Sequence, residues 1–171
     1  RNICSSYPLT RMNLELIAGT VTTGLGMCVC YCIMVLVGTR SLCLFCVKGA
    51  LHCLNMLCFM VVCLGLVFLV GQVIKQANAL SMVSNVIALG MSFLCGIFVP
   101  LEFLGEGLIR AAHFLPAYWY ITTADFVDRY SAGTPMGDYW MGLGVEILFG
   151  AALVAAGLAY SKAKAGGAVA G

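Results

Sequence analysis

Four ionisable side chains follow Pro100 at helical spacing. Glu102, Glu106, Arg110 and His113 recur at intervals of four, four and three residues, so they share one face of a helix. Leucines occupy the opposite face, which makes the segment amphipathic. It is too short to cross a hydrocarbon core, which takes about 20 apolar residues. We expect this segment either to be re-entrant or to lie in the membrane interface with a solvated charged face.

A second group of polar side chains lies within apolar segments. Lys48, His52 and Asn55 are spaced i, i+4 and i+7, and Glu146 lies about two turns inside the last apolar segment. Ionisable residues at membrane depth usually face protein or a water-filled cavity. His52 and Asn55 are therefore candidates for a substrate pathway, and we expect Glu146 to face a cavity or another helix. The alternative for the first two is a Lys48 that snorkels to the interface beside an interfacial His52.

The first apolar segment carries a run of sulfur side chains: Met27, Cys28, Cys30, Cys32 and Met34. Thiol and thioether ligands suit Cu(I). On a helix Cys28 and Cys32 share a face while Cys30 points roughly opposite, so only part of the set converges. The CxxC formed by Cys43 and Cys46 lacks the second pair of a typical zinc site. We expect the cysteines to be small packing residues, and we predict no metal site.

Motifs for catalysis are absent from the sequence. It contains no GxxxxGK[ST] phosphate loop, no HExxH and no GxSxG, and its two histidines lie in separate segments. The chain is therefore not expected to hydrolyse ATP by the phosphate-loop route or to act as a hydrolase. Its net charge of +2 is scattered and forms no basic run, which excludes nucleic acid as an expected partner.

The composition defines the elements that must position these residues. The 171 residues are 62% hydrophobic and 9% charged, whereas soluble domains are about 25% charged. The mean hydropathy is +1.02, so the chain is an integral membrane protein. We predict an all-α fold with transmembrane helices at about 14–37, 50–73, 81–99 and 139–160. A re-entrant or interfacial helical hairpin at about 101–130 precedes the last span, a loop covers 1–11, and a polar tail covers 161–171.

Small residues recur every four positions in two of the predicted spans. In the third span they form a ridge of Ser84, Ala88, Ser92 and Gly96. Small side chains let helix backbones approach closely in lipid, so we expect this ridge to face protein. The last span repeats the spacing with two pairs of alanines: Ala151 with Ala155, and Ala152 with Ala156.

Four spans place both termini on one side of the membrane. That side carries five basic residues: Arg1, Arg11, Lys75, Lys162 and Lys164. The opposite side carries four: Arg40, Lys48, Arg110 and Arg129. The positive-inside rule therefore favours cytoplasmic termini in a multi-pass protein of the cell membrane.

The stretch SFLCGIFVPLEFLGEGLIRAAHFLPAYWY resembles a segment of the permeases of the type-2 ATP-binding-cassette exporter family. In that family the penultimate span ends in a Gly, an aromatic and a Pro, and re-entrant helices with a Leu-Pro-aromatic signature follow. The matching residues are Gly96, Phe98, Pro100, Leu115, Pro116 and Trp119. The opening RNICSSYPLTR resembles the family's cytoplasmic loop before the third span.

The resemblance implies a permease subunit that forms a homo- or heterodimer in the bilayer and pairs with a separate ATPase. It implies export of a drug, a lipid, a polysaccharide or a similar substrate, as in multidrug efflux. ATP would be bound by the partner, and no cofactor by this chain. The chain corresponds to the family's last four spans, so this piece alone is not expected to transport.

The resemblance also assigns roles to residues. The residues expected to contact the ATPase are Ser5, Ser6, Tyr7, Pro8 and Arg11. A gate near the outer surface would be formed by Pro100, Glu102, Glu106, Arg110, His113 and Pro116. Two other functions stay open from the residues: a non-transporting membrane scaffold or assembly protein, and a soft-metal carrier that uses copper.

Overall fold

A computed structural model of the chain describes residues 9–39, 46–100, 103–131 and 133–169. All secondary structure within those ranges is helical: α1 (Leu9–Thr39), α2 (Val47–Val73), α3 (Ala77–Leu94), α4 (Glu106–Ala112), α5 (Pro116–Arg129) and α6 (Gly137–Val169). Helices α1, α2, α3 and α6 each contain a stretch long and apolar enough to cross a membrane. The predicted all-α fold with four candidate spans is confirmed, and the short helices α4 and α5 lie before the last span.

The longest helices extend beyond the predicted spans. Helix α6 continues through Val169 into the segment predicted as a polar tail. Alanine and lysine dominate the start of that segment, and both residues have high helix propensity. Helix α2 has 27 residues, which at 1.5 Å per residue is about 40 Å. That length exceeds a hydrocarbon core of about 30 Å, so one end of α2 must reach the interface.

Helices α2 and α6 form the most extensive helix pair, and they run parallel. Near the start of the pair Tyr139 contacts Leu51, and near its end Gly157 approaches Phe68. Two parallel helices in a membrane start on the same side, so the chain must cross back between them. Within the described ranges α3 is the intervening helix of spanning length. The packing therefore agrees with the predicted order of four spans.

Glycines bring the backbones of α2 and α6 together. A Cβ added at Gly65 would lie 2.8 Å from the carbonyl oxygen of Gly150. A Cβ at Gly150 would lie 2.9 Å from Val61 Cγ1, and one at Gly157 would lie 2.6 Å from Phe68 Cδ1. These separations are too short for a side chain, so the contact depends on glycine at each position. Close backbone approach of this kind is how helices associate in lipid.

Helix α5 packs against both α2 and α6 and runs opposite to α2. Near its start the Tyr120 ring stacks on Phe59, with centroids 4.6 Å apart. Near its end Asp128 accepts a hydrogen bond from Lys48. The two contacts on α2 are eleven residues apart, or about 16 Å along its axis. Helix α5 therefore lies alongside the first half of α2 and leads back to the end at which α2 begins.

Helix α3 ends at Leu94, whereas the sequence predicts that the third span continues to about residue 99 and ends at Pro100. Gly96 has a φ of 95°, a left-handed conformation that favours glycine. The amide of Ile97 donates a hydrogen bond of 3.2 Å to the carbonyl oxygen of Ser92. This bond and the left-handed glycine form a Schellman cap. The helix is therefore terminated by Gly96, and the prediction that Pro100 terminates it is corrected.

The predicted small-residue ridge differs accordingly. Ser84 and Ala88 are exposed and Ser92 is half-buried, while Gly96 is a cap residue beyond the end of the helix. No described residue of α3 is buried. The ridge therefore comprises three helical residues, of which Ser84 and Ala88 are left uncovered by the described residues. Its contact with another protein surface stays a prediction.

Candidate functional site

The polar stripe of α2, which consists of Lys48, His52 and Asn55, forms hydrogen bonds to α5. Lys48 Nζ donates a hydrogen bond of 2.8 Å to the carbonyl oxygen of Asp128, and His52 Nε2 lies 3.0 Å from the Asp128 carboxylate. Two turns further along, Asn55 Nδ2 donates to the carbonyl oxygen of Tyr120 at 3.1 Å. The three residues predicted to share a face thus contact one neighbouring helix. In this structure they join two helices, and Lys48 is bound to protein through its ammonium group.

The two ends of the stripe differ in burial. The side chains of His52 and Asp128 are 37% and 73% exposed, so their ion pair contributes at most about 1 kcal/mol. Asn55 is 1% exposed. Its amide donor is occupied by Tyr120, which leaves Oδ1 without a partner among the described residues. The stripe therefore leads from an exposed ionic end to a buried polar group.

Three buried polar residues lie on the mutually packed helices α2, α5 and α6, and we call this set the buried junction: Asn55, Thr123 and Glu146. All three are almost fully buried, and Glu146 has no exposed surface. Within the described ranges, Asn55 Oδ1, Thr123 Oγ1 and both carboxyl oxygens of Glu146 lack hydrogen-bond partners. An unpaired buried polar group costs about 1–3 kcal/mol. Such a cluster is expected where function requires it, and a carboxyl group in a membrane helix is usually functional.

The helix packing explains how these residues come together. The Thr123 hydroxyl lies directly against Gly142, where any Cβ would overlap it. Gly142 precedes Glu146 by one turn, and side chains on a helix point back toward its N-terminus. The Glu146 side chain is therefore directed toward the level at which Thr123 meets α6. Glycine at 142 is what allows α5 to approach α6 so closely.

A buried tyrosine near the start of α6 forms a hydrogen bond to α2. Tyr139 Oη donates a hydrogen bond of 2.8 Å to the carbonyl oxygen of Leu51, and Tyr139 has no exposed surface. We expect Tyr139→Phe to lower the free energy of unfolding by about 1 kcal/mol, because it removes one buried hydrogen bond. Denaturation in detergent micelles, followed by circular dichroism, measures this. The matched control is Tyr160→Phe at the exposed end of α6, and equal effects of both substitutions would contradict the assignment.

The residues of the predicted gate separate into an exposed pair and a packed joint. Glu106 and Arg110 form an i, i+4 ion pair of 3.2 Å, and their side chains are 89% and 80% exposed. The His113 ring lies on the Tyr118 ring with centroids 4.2 Å apart, and Trp119 Nε1 donates to the His113 carbonyl oxygen at 3.0 Å. The charged face is thus solvated at its beginning. At the end of this face, His113 contacts Tyr118 and Trp119, so α4 packs against α5 there.

Helix α5 begins at a proline, and charged side chains line the groove between α5 and α6. Pro116 is the first residue of α5, where its missing amide donor and restricted φ suit a helix start. A groove of about 580 Å³ between α5 and α6 is lined by Asp125, Arg129, Asp138 and Thr123, among others. Thr123 therefore belongs both to the lining of this groove and to the buried junction.

Several predicted site residues lie outside the described ranges: Ser5, Ser6, Tyr7, Pro8 and Glu102. The roles proposed for them stay predictions. Of the predicted ATPase-contact segment, Arg11 is described, and its guanidinium lies 4.0 Å from the Glu15 carboxylate. In the described part of the chain, no three His, Cys, Asp or Glu side chains are grouped so as to hold a metal ion.

Sequence reasoning missed the glycines of the α2–α6 contact and the burial of Thr123. The predicted alanine pairs of the last span are exposed, whereas the buried face of α6 includes Gly142, Glu146 and Gly150. Those three residues are also spaced every four positions, so the same small-residue pattern could have located them. Thr123 carried no comparable signal, because its burial follows from how α5 meets Gly142.

Comparison with known proteins agrees with this architecture. The chain matches the family described as ABC-2 type transporter over residues 6–125, more than half of its length. The matched region includes the polar stripe of α2 and the predicted gate, while Glu146 lies beyond it. No significant match to a curated protein or to a solved structure was found. The chain therefore belongs to the ABC-2 type transporter family and represents the membrane-spanning permease part of such a transporter.

Proposed function

We propose that this permease works as a dimer, is driven by a separate ATP-binding-cassette ATPase, and exports its substrate. The observation that carries the proposal is the family match over residues 6–125. The sequence contributes a second argument, since it has no phosphate loop of its own and ATP must then be bound elsewhere. Cytoplasmic termini follow from the distribution of basic residues.

The packing of α5 supports a re-entrant gate. Helix α5 lies beside the first half of α2, and Asp128 at its end meets Lys48 at the start of α2. A helix placed in this way turns back to the side from which α2 and α6 start. With cytoplasmic termini, that side is the outer one. The solvated pair of Glu106 and Arg110 then lies at the outer mouth of the pathway.

The proposal assigns coupling to the segment that precedes α1. Tyr7 in that segment, together with Arg11 in the first turn of α1, would contact the ATPase and transmit its closure to α1. Movement of α1 reaches the bundle through α2, against which α1 packs. Packed helices with two arrangements are the usual carriers of such coupling.

The test uses the full-length protein that contains this chain, purified with its ATPase partner and reconstituted in lipid nanodiscs. We expect ATPase activity that vanadate inhibits. Tyr7→Ala combined with Arg11→Ala should lower that activity by about 5-fold or more, the range of ordinary coupling between sites. The amount of ATPase bound should be measured in the same preparation.

The matched control is Lys164→Ala, which changes a basic residue on the same predicted side of the membrane but far from α1 in sequence. Equal activity in both variants would contradict the coupling assignment. If no ATPase is recovered with the permease, the ATP-driven function fails and the scaffold alternative replaces it.

A further inference from the structure

Sulfur atoms from two helices meet at the contact between α1 and α2. Cys28 Sγ on α1 lies 3.7 Å from Met60 Sδ on α2. One turn further along α1, the thiol of Cys32 is close enough to that of Cys53 on α2 to form a hydrogen bond. Cys28 and Cys32 are half-buried, while Cys30 between them is exposed. The proposed transport function uses none of these sulfur atoms.

An open groove of about 670 Å³ adjoins the first of these sulfur pairs. Met27, Cys28, Met56, Met60 and Cys63 contribute to its lining. The Thr20 and Thr23 hydroxyl groups that line this groove donate to carbonyl oxygens of α1 itself. The groove therefore offers soft sulfur atoms to a ligand that reaches it.

The spacing of the first pair suits two ligands of one ion. Sulfur–metal bonds are about 2.3 Å long, so two sulfur ligands of one ion lie about 3.8 Å apart at tetrahedral angles and about 4.0 Å apart at trigonal angles. The observed distance between Cys28 Sγ and Met60 Sδ is 3.7 Å. No metal needs to draw these two atoms together, because helix packing has already done so.

The type of ligand selects the metal. A site of thiol and thioether sulfur favours Cu(I), whereas a structural zinc site takes four thiolate or imidazole ligands. No three His, Cys, Asp or Glu side chains in the described ranges form such a group. We propose that Cys28 and Met60 form a Cu(I)-binding site between α1 and α2.

Binding forms a copper–sulfur bond at Cys28 and releases the thiol proton to the groove, with no change in the oxidation state of copper. The thioether of Met60 binds without losing a proton. Because the site joins α1 to α2, bound Cu(I) would cross-link two helices. This proposal is independent of the ATPase, so copper binding can succeed or fail whether or not the transport proposal holds.

The test supplies Cu(I), as its acetonitrile complex, to the reduced full-length protein in detergent micelles without the ATPase. A chromogenic Cu(I) chelator competes for the metal. We expect one Cu(I) held at this site in each chain. Cys28→Ser combined with Met60→Leu should weaken that binding by about 100-fold or more, because two ligands are lost.

The control is Cys30→Ser combined with Met34→Leu, which changes the same residue types on the exposed side of α1. Unchanged copper affinity in the control, together with unchanged helicity in both variants, supports the site. Equal loss of affinity in both variants, or no Cu(I) bound by the unsubstituted protein, overturns it.

Two further measurements separate the alternatives. X-ray absorption should show sulfur ligands at about 2.3 Å, and a shell of nitrogen or oxygen alone would overturn the proposal. Titration of free thiols before copper is added should find all ten cysteines reduced. If two thiols are missing and Cys28→Ser restores one of them, a disulfide occupies Cys28 and the metal site is rejected.

Discussion

Replacing Gly65 with alanine is expected to lower the free energy of unfolding by about 1–3 kcal/mol, the usual cost of overpacking a close contact. The added Cβ would lie 2.8 Å from the carbonyl oxygen of Gly150 and 3.0 Å from Leu153 Cβ. Neither group is the end of a flexible side chain, so α2 and α6 must move apart. Gly65→Leu should prevent the two helices from packing at all.

A matched glycine on the same helix isolates this effect. A Cβ added at Gly71 meets nothing within 4 Å among the described residues. Gly71→Ala should therefore leave stability unchanged or raise it by about 0.5–1 kcal/mol, because alanine has the higher helix propensity. Unfolding of each variant by sodium dodecyl sulfate in mixed micelles, followed by circular dichroism, measures the difference. Equal effects at positions 65 and 71 would show that α2 and α6 do not approach closely.

The second large effect is expected at Glu146, where stability and activity should change in opposite directions. Glu146→Met replaces a fully buried carboxyl group, whose oxygens lack partners in the described ranges, with an apolar side chain of similar size. Removing a buried polar group that lacks partners should raise the free energy of unfolding by about 1–3 kcal/mol, the usual cost of such a group. If the buried junction serves transport, the vanadate-sensitive ATPase activity of the complex should fall by about 10-fold.

Two other substitutions define what the Glu146 result means. Glu146→Gln keeps the shape of the side chain and should change stability less than methionine does. Glu106→Gln, at an exposed carboxylate on α4, should change neither stability nor activity. A fall in stability for Glu146→Met would show that the carboxyl group is held by a favourable partner. Full ATPase activity in that variant would remove the buried junction from the transport mechanism.

For the residues at the start of α2, the spacing in the sequence was sufficient to predict which side chains share a face. The i, i+4, i+7 spacing of Lys48, His52 and Asn55 placed them on one face, and all three contact α5. Helical periodicity determines which side chains share a face, because it depends only on 3.6 residues per turn. It does not determine which helix covers that face. The partner atoms on Asp128 and Tyr120 are more than 60 residues away in sequence.

The end of α3 could not be predicted from the sequence alone. Both Gly96 and Pro100 are strong helix terminators, and the sequence does not specify which one acts first. The left-handed φ of Gly96 and the bond from Ile97 to Ser92 decide it. A cap formed four residues before the proline makes the proline irrelevant to where the helix ends.

The amino-acid sequence alone determined that this protein is helical and lies in a membrane, with four spanning segments and a short amphipathic pair of helices before the last. Those properties follow from hydrophobic runs and helical period, which are local. Only the tertiary structure decided that α2 and α6 approach closely at Gly65 and Gly150, that Asn55, Thr123 and Glu146 are buried, and that Cys28 meets Met60. These contacts depend on the register and direction of helices distant in sequence, which are set by the packing of the whole bundle.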